Sequence, residues 1–109
     1  MSKLPDAKRS APIFAALGDE TRLTLVLRLC DDGPMSIAKL SAGSQITRQA
    51  ITKHLFVMQE AGLVRSRRYG RESVWQLKRR GLKDARHYLD IISKQWDDAL
   101  CRLRDFVED

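Results

Sequence analysis

The sequence predicts a mainly α-helical fold with one small β-hairpin and a long last helix. Three observations predict it. Residues 44–61 carry Ile51, Leu55 and Met58 at helical spacing, with polar residues on the other side near the amino end. Residues 64–77 form an arginine-rich stretch broken at Tyr69 and Gly70, which reads as two strands and a turn. Residues 81–107 repeat apolar residues in alternating steps of three and four.

Size and charge narrow the class. A chain of 109 residues is one domain, 1–109, and its 43% hydrophobic content suits a modest globular core. No apolar run approaches the roughly 20 residues of a membrane span. Lys3, Lys8 and Arg9 lead into no long apolar region, so no signal peptide is expected and the protein should stay in the cytoplasm. The net charge is +6, and it is unevenly placed. Residues 65–86 hold nine bases and two acids, whereas residues 90–109 hold six acids and three bases. A basic patch confined to one region is the electrostatic footprint of a nucleic-acid binder.

Residues 1–10 are polar and contain Pro5, so a loose start is expected, with a helix beginning near Asp6. Ile13, Phe14 and Leu17 share a face of this first helix, and Gly18 can end it. Asp19 is placed to cap the second helix, with Glu20 in its first turn. Leu23, Val26, Leu27 and Cys30, with Leu29 alongside, are expected to form its inward stripe. Asp31, Asp32, Gly33 and Pro34 then break the helix. Ser36 can cap a short third helix through Ile37 and Leu40. Ala42, Gly43 and Ser44 make a turn, and Thr47 caps a fourth helix that stops near Gly62.

A short helix, a turn and a longer helix with a polar leading face form a helix-turn-helix. In the fourth helix Thr47, Arg48, Gln49, Thr52 and Lys53 lie opposite the apolar stripe, near the amino end. None is large and apolar, and all can donate hydrogen bonds. A helix of this kind fits a DNA major groove, its first turns reaching base edges. The hairpin, 64–77, acts as a wing and offers Arg65, Arg67, Arg68 and Arg71 to phosphate. Val64, Trp75 and Leu77 can pack it onto the helices. The DNA-binding core is thus residues 12–77, and the expected partner is double-stranded DNA.

The last helix, 81–107, carries Leu82, Ala85, Leu89, Ile92, Trp96, Ala99, Leu103 and Phe106 as a heptad seam. At 1.5 Å per residue it spans roughly 40 Å, too long for so small a body to cover. The seam is expected to form a homodimer interface, with Leu82, Leu89, Ile92, Trp96, Leu103 and Phe106 as its contacts. Folding back onto the first helix is compatible with this, since one helix can do both.

Together these residues resemble the ArsR-type (arsenic-repressor-like) winged helix-turn-helix transcriptional regulators. The matching pieces are ALGDETRLTLVLRL, PMSIAKL, ITRQAITKHLFVMQEAGLV and RSRRYGRESVWQL, about residues 12 to 77. The resemblance implies a homodimer that binds a partly palindromic operator and usually represses. It implies base contacts from Arg48, Gln49, Thr52 and Lys53, and backbone contacts from the wing arginines. Many members sense metal through cysteines in the third helix, but PMSIAKLSAGS here holds no Cys, His or Asp. Others bind zinc at the last helices; Asp84, His87 and Asp90 share one face there, a spacing more typical of ion pairs along a helix. No metal and no cofactor are expected.

His54 reads as a packing or phosphate-contact residue. Some relatives use cysteines of the second and last helices as a thiol switch, so a redox-switched repressor using Cys30 and Cys101 is an alternative. The plainer reading makes Cys30 a small buried hydrophobe and Cys101 a peripheral one. A further alternative is a winged-helix interaction module docking another protein through its last helix. An enzyme is not expected, because no phosphate loop or nucleophile–base set is visible. RNA binding lacks the exposed aromatic stack that single-strand readers use.

Overall fold

The computed structural model describes residues 7–108. Of the loose start expected over residues 1–10, residues 1–6 lie outside them, Asp6 with them, while residues 7–10 already belong to the first helix. The elements are α1 (Ala7–Leu17), α2 (Glu20–Asp32), α3 (Ile37–Ser41), α4 (Arg48–Glu60), β1 (Val64–Tyr69), β2 (Glu72–Leu77) and α5 (Arg79–Glu108). The chain is therefore mainly helical, with one antiparallel hairpin and a 30-residue last helix. That helix begins two residues earlier than its apolar period suggests.

Side-chain oxygens start three of the helices. Asp19 accepts from the Arg22 N–H, Ser36 from Lys39 and Thr47 from Ala50, each satisfying a donor that the first turn leaves orphaned. The end of α4 is a Schellman turn. Gly62 takes a positive φ of 84°, its N–H donates to the Gln59 carbonyl, and the Leu63 N–H donates to Met58.

The core forms where the helices meet the hairpin. Ile51, Leu55 and Met58 of α4 are wholly buried, as are Leu40 of α3 and Leu63. Each such side chain stabilises the fold by about 1.5–3 kcal/mol relative to exposure. Ile13 and Ala16 join from α1, and Trp75 and Val64 from the wing. A single bridge between Met35 and Trp75 adds the segment before α3 to the hairpin, with Met35 N–H donating to Trp75 at 3.0 Å and Trp75 N–H returning at 2.8 Å.

The α2 stripe corrects the sequence reading. Leu25, Val26 and Leu29 face the core, while Leu23 and Leu27 are exposed, Leu27 by 58%. Cys30, expected inside, is exposed as well. The inward face is thus turned about one residue from the one the spacing suggested. The polar residues of α2 explain the rotation. Arg22 reaches back to α1, its Nε donating to the Ala16 carbonyl at 2.8 Å, and Arg28 reaches α3, its Nη1 donating to the Leu40 carbonyl at 2.6 Å. These two bonds satisfy carbonyls at the carboxyl ends of both neighbouring helices.

α5 behaves as two segments. Its first turns pack on α1: Gly81 and Ala85 are buried, Leu82 is half-buried against the core, and Tyr88 meets Phe14 edge-on at 5.9 Å. Arg9 of α1 pairs with Asp84 at 3.2 Å. Gly81 is required here, because a Cβ would run into the Gly62 carbonyl. Beyond Tyr88 the helix leaves the body. The radius of gyration is therefore 18.3 Å, against about 13 Å for a compact domain of this length.

Candidate nucleic-acid interface

The base-contact candidates sit on the first two turns of α4. Arg48, Gln49 and Lys53 are exposed, and no ion pair among the described residues engages Arg48 or Lys53. The two threonines are already occupied. Thr47 Oγ1 accepts from the Ala50 N–H at 3.1 Å, and the Thr52 hydroxyl donates to the Arg48 carbonyl at 2.8 Å. The side chains with free donors on this face are therefore Arg48, Gln49 and Lys53.

Packing beneath fixes the helix. Its opposite face is the fully buried Ile51, Leu55, Met58 stripe. His54, half-buried, lies with its Nδ1 3.4 Å from Arg22 Nη1 and 4.0 Å from Asp19 Oδ2. This clamp ties α4 to the start of α2, so His54 is a packing residue. The backbone N–H of Arg22 holds the Asp19 carboxyl below the usual carboxylate range; partial loss of hydration opposes this, and the charges of Arg22 and His54 add to the lowering.

The hairpin register divides the wing arginines between two faces. Arg65 pairs with Gln76, Arg67 with Val74 and Arg68 with Ser73, so Arg65 and Arg67 share one face while Arg68 lies on the other with Trp75. The turn itself is Gly70 and Arg71, with a positive φ of 63° at Gly70. All four arginines are exposed. Arg65 is partly committed: with the Gln76 amide oxygen facing it, Nε and Nη2 donate at 2.7 and 2.8 Å. Arg67, Arg68 and Arg71 near the tip have no ion-pair partner among the described residues.

Of the seam residues on α5, Leu82 is packed inside its own chain. Leu89, Ile92, Trp96, Leu103 and Phe106 are exposed, Trp96 by 63% and Phe106 by 81%. Leu100 and Val107, which the heptad count passes over, widen the exposed apolar strip. Asp84 is engaged by Arg9, and among the described residues no group of three or more His, Cys, Asp or Glu is placed to hold a metal ion. Cys30 and Cys101 are both free thiols. Among the described residues no helix is long and apolar enough to cross a membrane.

Three comparisons bear on this geometry. A helix-turn-helix domain family matches residues 17–67, the span from the end of α1 into the wing. The HTH-type transcriptional regulator Rv2034 of Mycobacterium tuberculosis is 38% identical over 95 residues, covering 87% of this chain and 85% of its own. An uncharacterized HTH-type transcriptional regulator of Bacillus subtilis, YuzN, is 38% identical over 78 residues, 66% of this chain and 85% of that relative. The solved structure of an ArsR-like transcriptional regulator from Rhodococcus sp. RHA1 superposes with a TM-score of 0.85 at 33% identity, covering 94% of this chain and 93% of that one. The match runs through the wing and into the last helix rather than stopping at the helix-turn-helix. With this architecture and these relatives, the chain belongs to the ArsR-type winged helix-turn-helix transcriptional regulators.

Proposed function

We propose that two copies of the chain join through α5 and act as a repressor on an inverted-repeat operator. Residues 12–77 form the DNA-binding unit and residues 81–107 the joining helix. Arg48, Gln49 and Lys53 read base edges, with Thr52 beside them and Thr47 chiefly as the cap. Arg67, Arg68 and Arg71 hold phosphates at the wing, with Arg65 at its base. The protein works in the cytoplasm and catalyses nothing.

One observation carries this reading: a polar, solvent-facing helix start adjoins a hairpin whose tip arginines are free of ion pairs among the described residues. Guanidinium groups left unpaired at that density find their strongest partners in phosphate. The exposed apolar strip on α5 supports the joining role, since a contiguous patch of that kind marks an association surface.

The test has two parts. Selection from random duplexes should return an inverted repeat, and sedimentation should show a dimer at micromolar concentration. Trp96→Asp places an unpartnered charge in the joining surface and should cost on the order of several kcal/mol of association. Operator binding should weaken with it, because two recognition helices must be held about 34 Å apart to read both half-sites. A wild-type monomer, or a Trp96→Asp protein that stays dimeric and binds normally, would remove the reading.

A further inference from the structure

The outward face of α4 does not stay polar. Gln49, Lys53 and Phe56 recur at i, i+4 and i+7, one above the other on the side opposite Ile51 and Leu55. Phe56 is 53% exposed. Its ring meets Trp75 of the wing edge-on, with centroids 6.0 Å apart at 79°. Trp75 is itself buried, so Phe56 is braced from one side and open on the other. The result is an apolar plate between Lys53 and the arginine-bearing hairpin.

We infer that Phe56 is a specificity-determining residue that packs on the 5-methyl group of a thymine in the major groove. This rests on α4 being the groove-reading helix. A phenyl ring has no hydrogen-bonding group, and the thymine methyl is the one apolar feature that base edges present there. Against the amino group of cytosine or the acceptors of guanine, the ring would displace water and return nothing. The same ring therefore favours thymine and rejects the alternatives. The bracing by Trp75 restricts its motion, so little side-chain freedom remains to be lost on binding. Val57, also exposed, continues the four-residue step from Lys53 and offers a smaller apolar surface than the Phe56 ring.

Duplexes selected by the full-length protein supply the probe. Each thymine is replaced singly by deoxyuridine, which removes the methyl and leaves pairing unchanged. Dissociation constants are measured for the wild type, Phe56→Ala and Phe56→Leu. The expected result is one thymine per half-site where deoxyuridine weakens wild-type binding about fourfold, the worth of one buried methyl-sized group. Phe56→Ala should show no effect at that position, and Phe56→Leu should keep part of it. Any general loss from disturbing Trp75 cancels between the two duplexes, because the coupling alone is read. A wild type that tolerates every replacement within about twofold, or a sensitivity that persists in Phe56→Ala, would overturn the assignment while leaving α4 as a reader. A wild type that selects no sequence would overturn both.

Discussion

α4 and α5 are both amphipathic, and they expose opposite faces. In α4 the apolar stripe is wholly buried, and water meets Arg48, Gln49 and Lys53. In α5 beyond Tyr88 the apolar stripe itself meets water, from Leu89 to Phe106. The same periodicity thus has two outcomes, decided by whether the body of the protein reaches the helix. α4 is packed by α3, α2, β1 and α1; the far part of α5 runs past everything. What each helix leaves exposed differs in chemistry, and so must its partner: a polyanion for one, an apolar surface for the other.

Ionic strength should separate the two most strongly. If a dimer contacts roughly six to ten phosphates, raising salt from about 50 to 200 mM should weaken DNA binding on the order of a thousandfold or more. Association through α5 should change little, because burial of apolar surface is not screened. Equal salt responses in gel shift and sedimentation would erase the distinction.

Truncation in the two stripes gives a sharper contrast. Leu55→Ala should cost about 2–5 kcal/mol of folding stability, since it opens a hole in a fully packed site. Leu103→Ala, on an exposed position, should leave the helix content of dilute protein intact while raising the dimer dissociation constant. Urea unfolding at two protein concentrations reads both. A concentration-independent loss in Leu103→Ala equal to that in Leu55→Ala would show that α5 is held by its own chain after all.

The junction between the helices is tested at Gly81. An alanine there meets the Gly62 carbonyl, and backbone must shift to admit it, at about 1–3 kcal/mol. Ala99, half-buried and far from the body, is the control and should accept serine with a change near zero. Thermal melts of both variants check it, and a neutral Gly81→Ala would mean that α5 is not seated on the end of α4.

The smallest effect concerns acid. The folded Asp19 carboxyl lies below its ordinary value of 3.8, so its contribution is complete above that value and is lost as pH falls through the lower folded one. Asp19→Asn keeps a capping oxygen and removes the titration. Its stability should therefore decline less steeply at acid pH than that of the wild type. Parallel curves in urea unfolding across that range would mean that ionisation of Asp19 adds nothing to folding stability.

Much of this was legible in the chain. Asp19, Ser36 and Thr47 announced three helix starts, because a cap needs its oxygen at the position before the first turn. The stripe in α4 was legible for a related reason: Arg48, Gln49, Thr52 and Lys53 lie opposite Ile51, Leu55 and Met58 at the amino end, so the apolar face turns inward. α2 offered no such contrast. Leu23, Leu25, Val26, Leu27, Leu29 and Cys30 surround most of the helix, and its orientation depends on where Arg22 and Arg28 find carbonyls six and twelve residues away. Contacts of that range leave no periodic trace. The Met35–Trp75 bridge is a single pair and left none either. Phe56 was passed over because the outward face of α4 was sorted by its polar majority.

The seating of Gly81 against Gly62 has a mechanical consequence. Two residues without side chains form the fulcrum of a stiff rod, placed against the carboxyl end of α4. From Gly81 to Glu108 the rod measures about 40 Å, so a tilt of about 5° at the fulcrum carries its far end roughly 3–4 Å. Read in the other direction, a displacement of that size at the tip becomes a small, geared-down rotation beside α4.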